Sequence, residues 1–264
     1  MKTVVITGSS RGIGFALADA FLGCGCQVVV SGSSVGSSET AWEKLVKTYA
    51  IEYIHKQPCN VIEYEQVRDL WDAAMARFGK VDIWINNAGR SAQVMPFHDL
   101  PFETIQGVIE TNVLGLMYGS RVAVNGMLEQ GFGAVYNMEG LGSTGRQVPG
   151  LALYGTSKSY LPYLHTALTN EVKGSGVIVG ALQPGMMITD MVMKQYEGKP
   201  DELARVKNIF NILADRAETV APWLADKILS NRKNGVRLRY APGYKLFLRF
   251  LSAPFIKRDL FADS

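Results

Sequence analysis

The chain is poor in cysteine and histidine, carries no strong charge of one sign, and has no long apolar run. Its three cysteines, Cys24, Cys26 and Cys59, are an odd number, and their spacing fits neither a redox CxxC pair nor a zinc site. They read as reduced, partly buried thiols. His55, His98 and His165 stand singly without ligand spacing, so no metal is expected. No stretch of about 18 apolar residues occurs, so no membrane-spanning helix is expected. The 27 Lys+Arg against 24 Asp+Glu leave a net charge of +3, too balanced for nucleic-acid binding over the whole chain. Met1-Lys2 runs directly into strand-like Thr3–Thr7, without the pattern of a secretory leader. Together these absences predict a cytoplasmic protein.

What is present is an alternation. Short β-branched runs lie at Val4–Thr7, Gln27–Ser31, Tyr53–Gln57, Ile83–Asn86, Ala134–Asn137 and Val177–Leu182. Buried parallel strands have this character. Between them run amphipathic stretches, with Ile13, Leu17, Ala20 and Phe21 on one stripe and Val67, Leu70, Trp71 and Ala74 on another. The alternation predicts an α/β fold: a single Rossmann-type domain over 1–264, with a doubly wound parallel sheet and helices on both faces. There is no repeat and no low-complexity linker. Ser31–Ser38 is a short Ser/Gly-rich loop after the second strand.

The first strand leads into Thr7-Gly-Ser-Ser-Arg-Gly-Ile-Gly14, which opens the first helix. Glycines let the backbone approach a pyrophosphate, and a helix N-terminus presents free N–H groups to it. Further on, Tyr154 and Lys158 stand four residues apart, one helical turn, on one face. An ammonium beside a phenol lowers the phenol's pKa and suits it to proton transfer.

These segments, with Asn86-Asn87-Ala88-Gly89, Asn112 and Gln183-Pro184-Gly185, occur in one order and spacing that resembles the short-chain dehydrogenase/reductase family. The resemblance runs from Met1 to about Thr189. It implies that Gly8, Ser10, Arg11, Gly12, Ile13 and Gly14 form the cofactor turn. It implies that Asn86, Ala88 and Gly89 stabilise the central strand and line the adenosine–ribose side, with Asn60 and Val61 near the adenine. Asn112 would hold a kinked helix and a proton-relay water. Tyr154 would be the acid/base, with Lys158 lowering its pKa and bonding the nicotinamide ribose. Pro184, Gly185, Ile188 and Thr189 would border the nicotinamide.

The second strand ends Val30-Ser-Gly-Ser-Ser34, without the carboxylate that NAD-preferring folds place on the ribose. Arg11, Ser33 and Ser34 can meet a 2′-phosphate. NADP(H) is therefore expected over NAD(H).

One departure stands out. The family's catalytic serine lies in a Ser-Ser pair after the fifth strand, where this chain has Glu139-Gly140. The nearest hydroxyl is Ser143, with Thr144 beside it, and Ser143 is expected to bond the substrate carbonyl. Asn-Met-Glu-Gly-Leu-Gly-Ser followed by Tyr-Gly-Thr-Ser-Lys resembles a subgroup that includes the chlorophyll b reductases. That resemblance implies NADPH-dependent reduction of a formyl group. The expected activity is reduction of a formyl or keto group on a bulky apolar substrate, with a hydroxysteroid or small ketone as the second candidate. A cofactor-binding sensor without turnover is the alternative of another class. Residues 186–215 are expected to form a substrate lid with a Met-rich wall. The variable segment 236–264 mixes aromatics and cations from Tyr244 to Arg258. That mixture suits a membrane surface, but packing on the core or a partner subunit is favoured. Arg237, Arg239, Lys245 and Arg249 would add positive charge toward an acidic substrate. A homodimer or homotetramer is implied by resemblance.

Overall fold

The computed structural model describes residues 1–253 and 258–261. Seven parallel strands form the central sheet in the order β3-β2-β1-β4-β5-β6-β9. They are β1 (Thr3–Ile6), β2 (Gln27–Val30), β3 (Ile54–Lys56), β4 (Ile83–Asn86), β5 (Gly133–Met138), β6 (Val177–Gln183) and β9 (Arg237–Arg239). Two short strands, β7 (Met187–Ile188) and β8 (Asp215–Arg216), pair separately. The helices are α1 (Gly12–Gly23), α2 (Val35–Leu45), α3 (Tyr64–Phe78), α4 (Phe102–Ile109), α5 (Leu116–Gln130), α6 (Ala152–Ser159), α7 (Leu161–Glu171), α8 (Asp190–Gln195), α9 (Pro200–Leu213), α10 (Ala217–Ser230) and α11 (Gly243–Ser252).

Strand alternation sorts the core into two layers. Val4, Ile6, Val28, Val30 and Ile85 pack under α1 and α10, meeting Leu17, Phe21, Val220 and Leu224. Val5, Val29, Trp84, Val135 and Val179 point the other way, onto Val67, Leu70 and Trp71 of α3 and Val122 and Met127 of α5. Both faces are covered, which is why these strands read as continuous apolar runs. The expected α/β sheet with helices on both faces is the observed one. Of the first predicted stripe, Leu17 and Phe21 are buried while Ile13 and Ala20 are partly exposed. Cys26 and Cys59 are buried, and Cys24 is exposed.

Two features, the seventh strand and the C-terminal pattern, lie outside the sequence expectation, while the turn at Asn112 falls where a kinked helix is expected. The seventh strand, β9, extends β6 through the pairs Ala181–Arg237 and Gln183–Arg239. Residues Glu110–Gly115, between α4 and α5, form a π-helical turn. The C-terminal pattern is inverted. On α11 the apolar side chains Tyr244, Phe247, Leu248 and Leu251 face outward. Its cations turn inward: Arg249 meets Asp215 at 2.7 Å, and Lys245 stands 3.6 Å over the Tyr240 ring. Arg258 meets the same Asp215 at 2.9 Å. Arg249 and Lys245 are thus committed to the protein itself. Pro254–Lys257, part of the tail singled out in the sequence, lie outside the described residues. Among the described residues no helix is long and apolar enough to cross a membrane.

Candidate active site

A cleft of about 1240 Å³ opens along the carboxyl ends of the strands. Its floor at one end is the turn from β1 into α1. Gly8 and Gly12 have φ of +64° and +56°, the left-handed region that favours glycine. A Cβ on Gly8 would stand 2.8 Å from Ala88 Cα, and one on Gly14 would stand 2.5 Å from the Gly8 carbonyl. The turn is therefore bare backbone pressed against β4's exit. It is pinned by Asn87, whose Nδ2 donates to the carbonyls of Thr7 at 2.9 Å and Gly8 at 3.0 Å. Thr7 Oγ1 in return accepts from the N–H of Asn87 and Ala88. The N-terminus of α1 opens onto this floor, with extended Arg11 as its cap. Such a cradle suits a pyrophosphate.

The predicted cofactor residues distribute unevenly. Gly8, Ser10, Arg11, Gly12, Ile13 and Gly14 border the cleft, as do Ser33, Asn60, Val61, Ala88 and Gly89. Pro184, Gly185 and Thr189 border its other end. Three do not. Asn86 lies inside the sheet, accepting from Trp84 Nε1 at 2.8 Å and donating to Asn137 Oδ1 at 2.8 Å and Ser120 Oγ at 3.0 Å. It ties β4 to β5; the asparagine facing the cleft is its neighbour Asn87. Ser34 caps α2 in a reciprocal pair with Ser37. Ile188 is committed to β7. Gly32, Ser33 and Arg11 all border the cleft.

The chemical centre lies where β5 meets α6. Tyr154 faces the cleft, and Lys158 is 4% exposed. The Lys158 ammonium donates to the Met138 carbonyl at 3.2 Å. Burial pulls its pKa down to about 8, with Glu139 pulling the other way. Burial pushes the Tyr154 phenol up to about 12. The expectation of a phenol lowered by its lysine is thus corrected. Burial pushes both groups toward their neutral forms, and Tyr154 is the neutral acid.

Asn112 is fully buried on the π-helical turn. Its Nδ2 donates to the Arg90 carbonyl and to Ser157 Oγ, both at 2.8 Å, while its Oδ1 accepts from Arg90 N–H at 2.7 Å. Its own carbonyl accepts from Tyr160 at 2.8 Å. It clamps the loop after β4 to α6 rather than bordering the cleft.

Ser143 also departs from its expected place. Its hydroxyl donates to the Lys158 carbonyl at 3.1 Å and accepts from Gly140 N–H at 3.2 Å. A hydroxyl has one proton to give, and this one is given to backbone. Thr144 is the hydroxyl residue of this loop that borders the cleft. The Glu139-Gly140 pair explains the rearrangement. A Cβ on Gly140 would stand 2.7 Å from the Tyr154 hydroxyl, which occupies the space a side chain there would need. Glu139 turns away from solvent, accepting from Gln183 Nε2 and facing Arg237 Nε at 3.5 Å. Sequence reasoning had singled out Glu139 but not these partners, which come from strands 44 and 98 residues downstream in numbering.

The far wall is apolar. Met186, Met191, Val206, Ile209, Leu213 and Leu246 contribute to it. The segment that supplies most of it is fastened to the body. Gln195 Nε2 donates to Ser91 Oγ at 2.8 Å, its carbonyl accepts from Val94 N–H at 3.0 Å, and Lys199 donates to the Val94 carbonyl. Among the described residues no cluster of histidine, cysteine or carboxylates could hold a metal.

With this geometry in place, the comparisons with known proteins define the class. The short chain dehydrogenase family model matches residues 2–200, and the chain belongs to that family. It is an oxidoreductase on a Rossmann-type fold that binds a nicotinamide cofactor. The chain is similar to chlorophyll(ide) b reductase NOL, chloroplastic, from Arabidopsis thaliana, 35% identical over 94% of this chain and 72% of that protein. It is similar to the protein of the same name from Oryza sativa subsp. japonica, 36% identical over 94% of this chain and 74% of that one. Among solved structures, actinorhodin polyketide ketoreductase with NADPH superposes with a TM-score of 0.81 at 24% identity, covering 92% of this chain and 97% of that one. The expectation of a cytoplasmic protein is overturned by these relatives, which are chloroplastic; reduced thiols and the lack of a leader pattern do not separate the two compartments.

Proposed function

We propose that the protein is an NADP(H)-dependent reductase that converts a ring formyl group of a large, mostly apolar substrate of the chlorophyll(ide) b kind to hydroxymethyl, in a chloroplast. The observation that carries this reading is the cleft itself. A neutral Tyr154 hydroxyl faces an apolar methionine-, leucine- and isoleucine-lined wall in a volume of about 1240 Å³. That volume has to hold the dinucleotide as well, and it is the apolar wall of Met186, Met191, Val206, Ile209 and Leu213 that suits an apolar substrate beside the nicotinamide end. The named activity of the two plant relatives supports the formyl group as the target.

The chain's residues divide the work. Gly8, Gly12, Gly14 and the α1 N-terminus would cradle the pyrophosphate, and Arg11 with Ser33 would meet a 2′-phosphate. A nicotinamide held there would supply the hydride to the formyl carbon. Tyr154 gives its proton to the formyl oxygen as charge develops there. Lys158 stands beside it as the ammonium that offsets the resulting phenolate. Asn112 holds α6 against the loop after β4, and Thr144 is placed to approach the substrate. Ser143 positions the Gly140 turn. Residues 186–215 close the apolar side as a lid. A homodimer or homotetramer is the expected assembly.

The test is NADPH oxidation with chlorophyllide b as acceptor, against NADH and against a steroid ketone. We expect turnover with NADPH to exceed that with NADH at least tenfold. Tyr154→Phe should abolish turnover while binding NADPH within about threefold of wild type. Turnover surviving in Tyr154→Phe, or confined to the steroid, would refute the reading.

A further inference from the structure

Away from Tyr154, the apolar wall of the cleft ends on a buried ionic cluster that the reaction does not use. Asp215 follows the Phe210-Asn-Ile-Leu213 run that closes α9, and only 5% of it is exposed. Its Oδ2 meets Arg249 of α11 at 2.7 Å, and its Oδ1 meets Arg258 at 2.9 Å. The same guanidinium groups take up the carbonyls at the end of α9. Arg249 donates to Leu213 O at 3.1 Å, and Arg258 donates to Ile212 O at 3.3 Å and Ala214 O at 3.0 Å. Asn211 Oδ1 accepts from Leu260 N–H at 3.0 Å. Both carboxylate oxygens and the helix-end carbonyls are thus paired, as burial demands.

We propose that Asp215 is a positioning residue for substrate selection: its carboxylate, gripped by Arg249 and Arg258, holds α11 against the end of α9 and so sets where the apolar wall stands. The inference rests on that wall being the one the substrate meets.

Each element joined at Asp215 carries part of the wall. The Asp215 N–H donates to Met186 O at 3.0 Å, and β8 pairs with β7 through Met187–Asp215, which fixes the methionine end. Ile209, Phe210 and Leu213 of α9 border the cleft. Leu246 borders it from α11, one turn before Arg249 and on the same inward face, while Phe247, Leu248 and Leu251 face out. Phe210 in turn packs edge-on against Phe261, with ring centroids 6.3 Å apart. Apolar packing is non-directional and would let α11 slide over α9. Charge-assisted hydrogen bonds are directional and fix one register. The other end of the segment is already tied down by Gln195 and Lys199, so Asp215 supplies the second anchor.

The test separates substrate KM from kcat in NADPH oxidation, measured below the melting temperature of every variant. Asp215→Ala should raise the substrate KM about tenfold, the effect of a misfit in an apolar pocket, with kcat within about twofold and NADPH binding within about threefold of wild type. Arg249→Met should raise KM by a similar factor, although it leaves Asp215 paired with Arg258. The double variant should be no worse than Asp215→Ala alone, because both act through one contact. A purely structural role predicts lower melting temperatures and lower kcat with the substrate KM unmoved, and that result would overturn the proposal. If Asp215→Ala does not fold, Arg249→Met decides by the same measure. The substrate is whichever of chlorophyllide b and the steroid ketone the wild type reduces. Turnover of the ketone alone sinks the chlorophyllide reading; an unmoved KM in Arg249→Met sinks only the role of Asp215.

Discussion

Replacing Lys158 by methionine should remove turnover and yet make the protein more stable. Lys158 is 4% exposed, and burial pulls its pKa from the usual 10.5 to about 8. At about 1.4 kcal/mol per pH unit, holding the ammonium there costs on the order of 3 kcal/mol relative to the neutral amine. Methionine has a similar length and no charge. It forfeits the bond to Met138 O, worth about 1 kcal/mol. A net gain of about 1–2 kcal/mol at pH 7 remains, or a few degrees in melting temperature. The pH dependence is the sharper signature. Between pH 8 and 10.5 the unfolded chain holds the lysine proton and the folded one has released it, so wild-type stability gains relative to the variant as pH rises. Below pH 8 the cost is present in full. The advantage of Lys158→Met should therefore hold level below about pH 8 and shrink from there to about pH 10. Buried Cys59 and Tyr154, whose pKa values are pushed up to about 12, titrate in the opposite sense but occur in both proteins, so they cancel in the difference. Thermal melts at fixed protein concentration across that range measure it. A variant that melts lower than wild type by the same margin at every pH would refute the argument.

Two further expectations follow from the same centre and from the core. Gly140→Ala places a Cβ 2.7 Å from the Tyr154 hydroxyl and should lower kcat at least tenfold while NADPH titration shows binding unchanged; full activity would mean that the phenol acts from another position. Iodoacetamide at pH 8 should add one label to the native protein, at exposed Cys24, and three after denaturation, as read by intact mass. Labelling of Cys59 in the native state at the rate of Cys24 would contradict a thiol held near 12 by burial.

How much of this was legible beforehand depended on whether the determinant was local. Apolar runs flanked by amphipathic stretches located six strands, because burial on both faces writes itself into consecutive residues. Gly8 and Gly14 were legible because their lack of a side chain is what lets β1 press on β4. Arg237–Arg239 was not: a three-residue strand with charged ends has no period, and it becomes a strand only because β6 offers it an edge. Asn86 misled for the same reason that Asn87 was overlooked. Two adjacent asparagines point to opposite sides of a strand end, and only the sheet's twist and the Ser120–Asn137 partners decide which faces the cleft.

The serine question shows the limit most clearly. Along the chain, Ser143 was the obvious replacement for a missing hydroxyl, being three residues from Gly140. In space the substitution runs the other way. With no side chain at 140 the Tyr154 hydroxyl occupies that volume, and Ser143 donates to the Lys158 carbonyl and holds the turn. A side chain at 140 would displace the phenol, because its Cβ would stand 2.7 Å from the Tyr154 hydroxyl. Gly140→Ser should therefore lower kcat at least as much as Gly140→Ala, and a serine variant as active as wild type would show that the phenol does not occupy that volume during turnover.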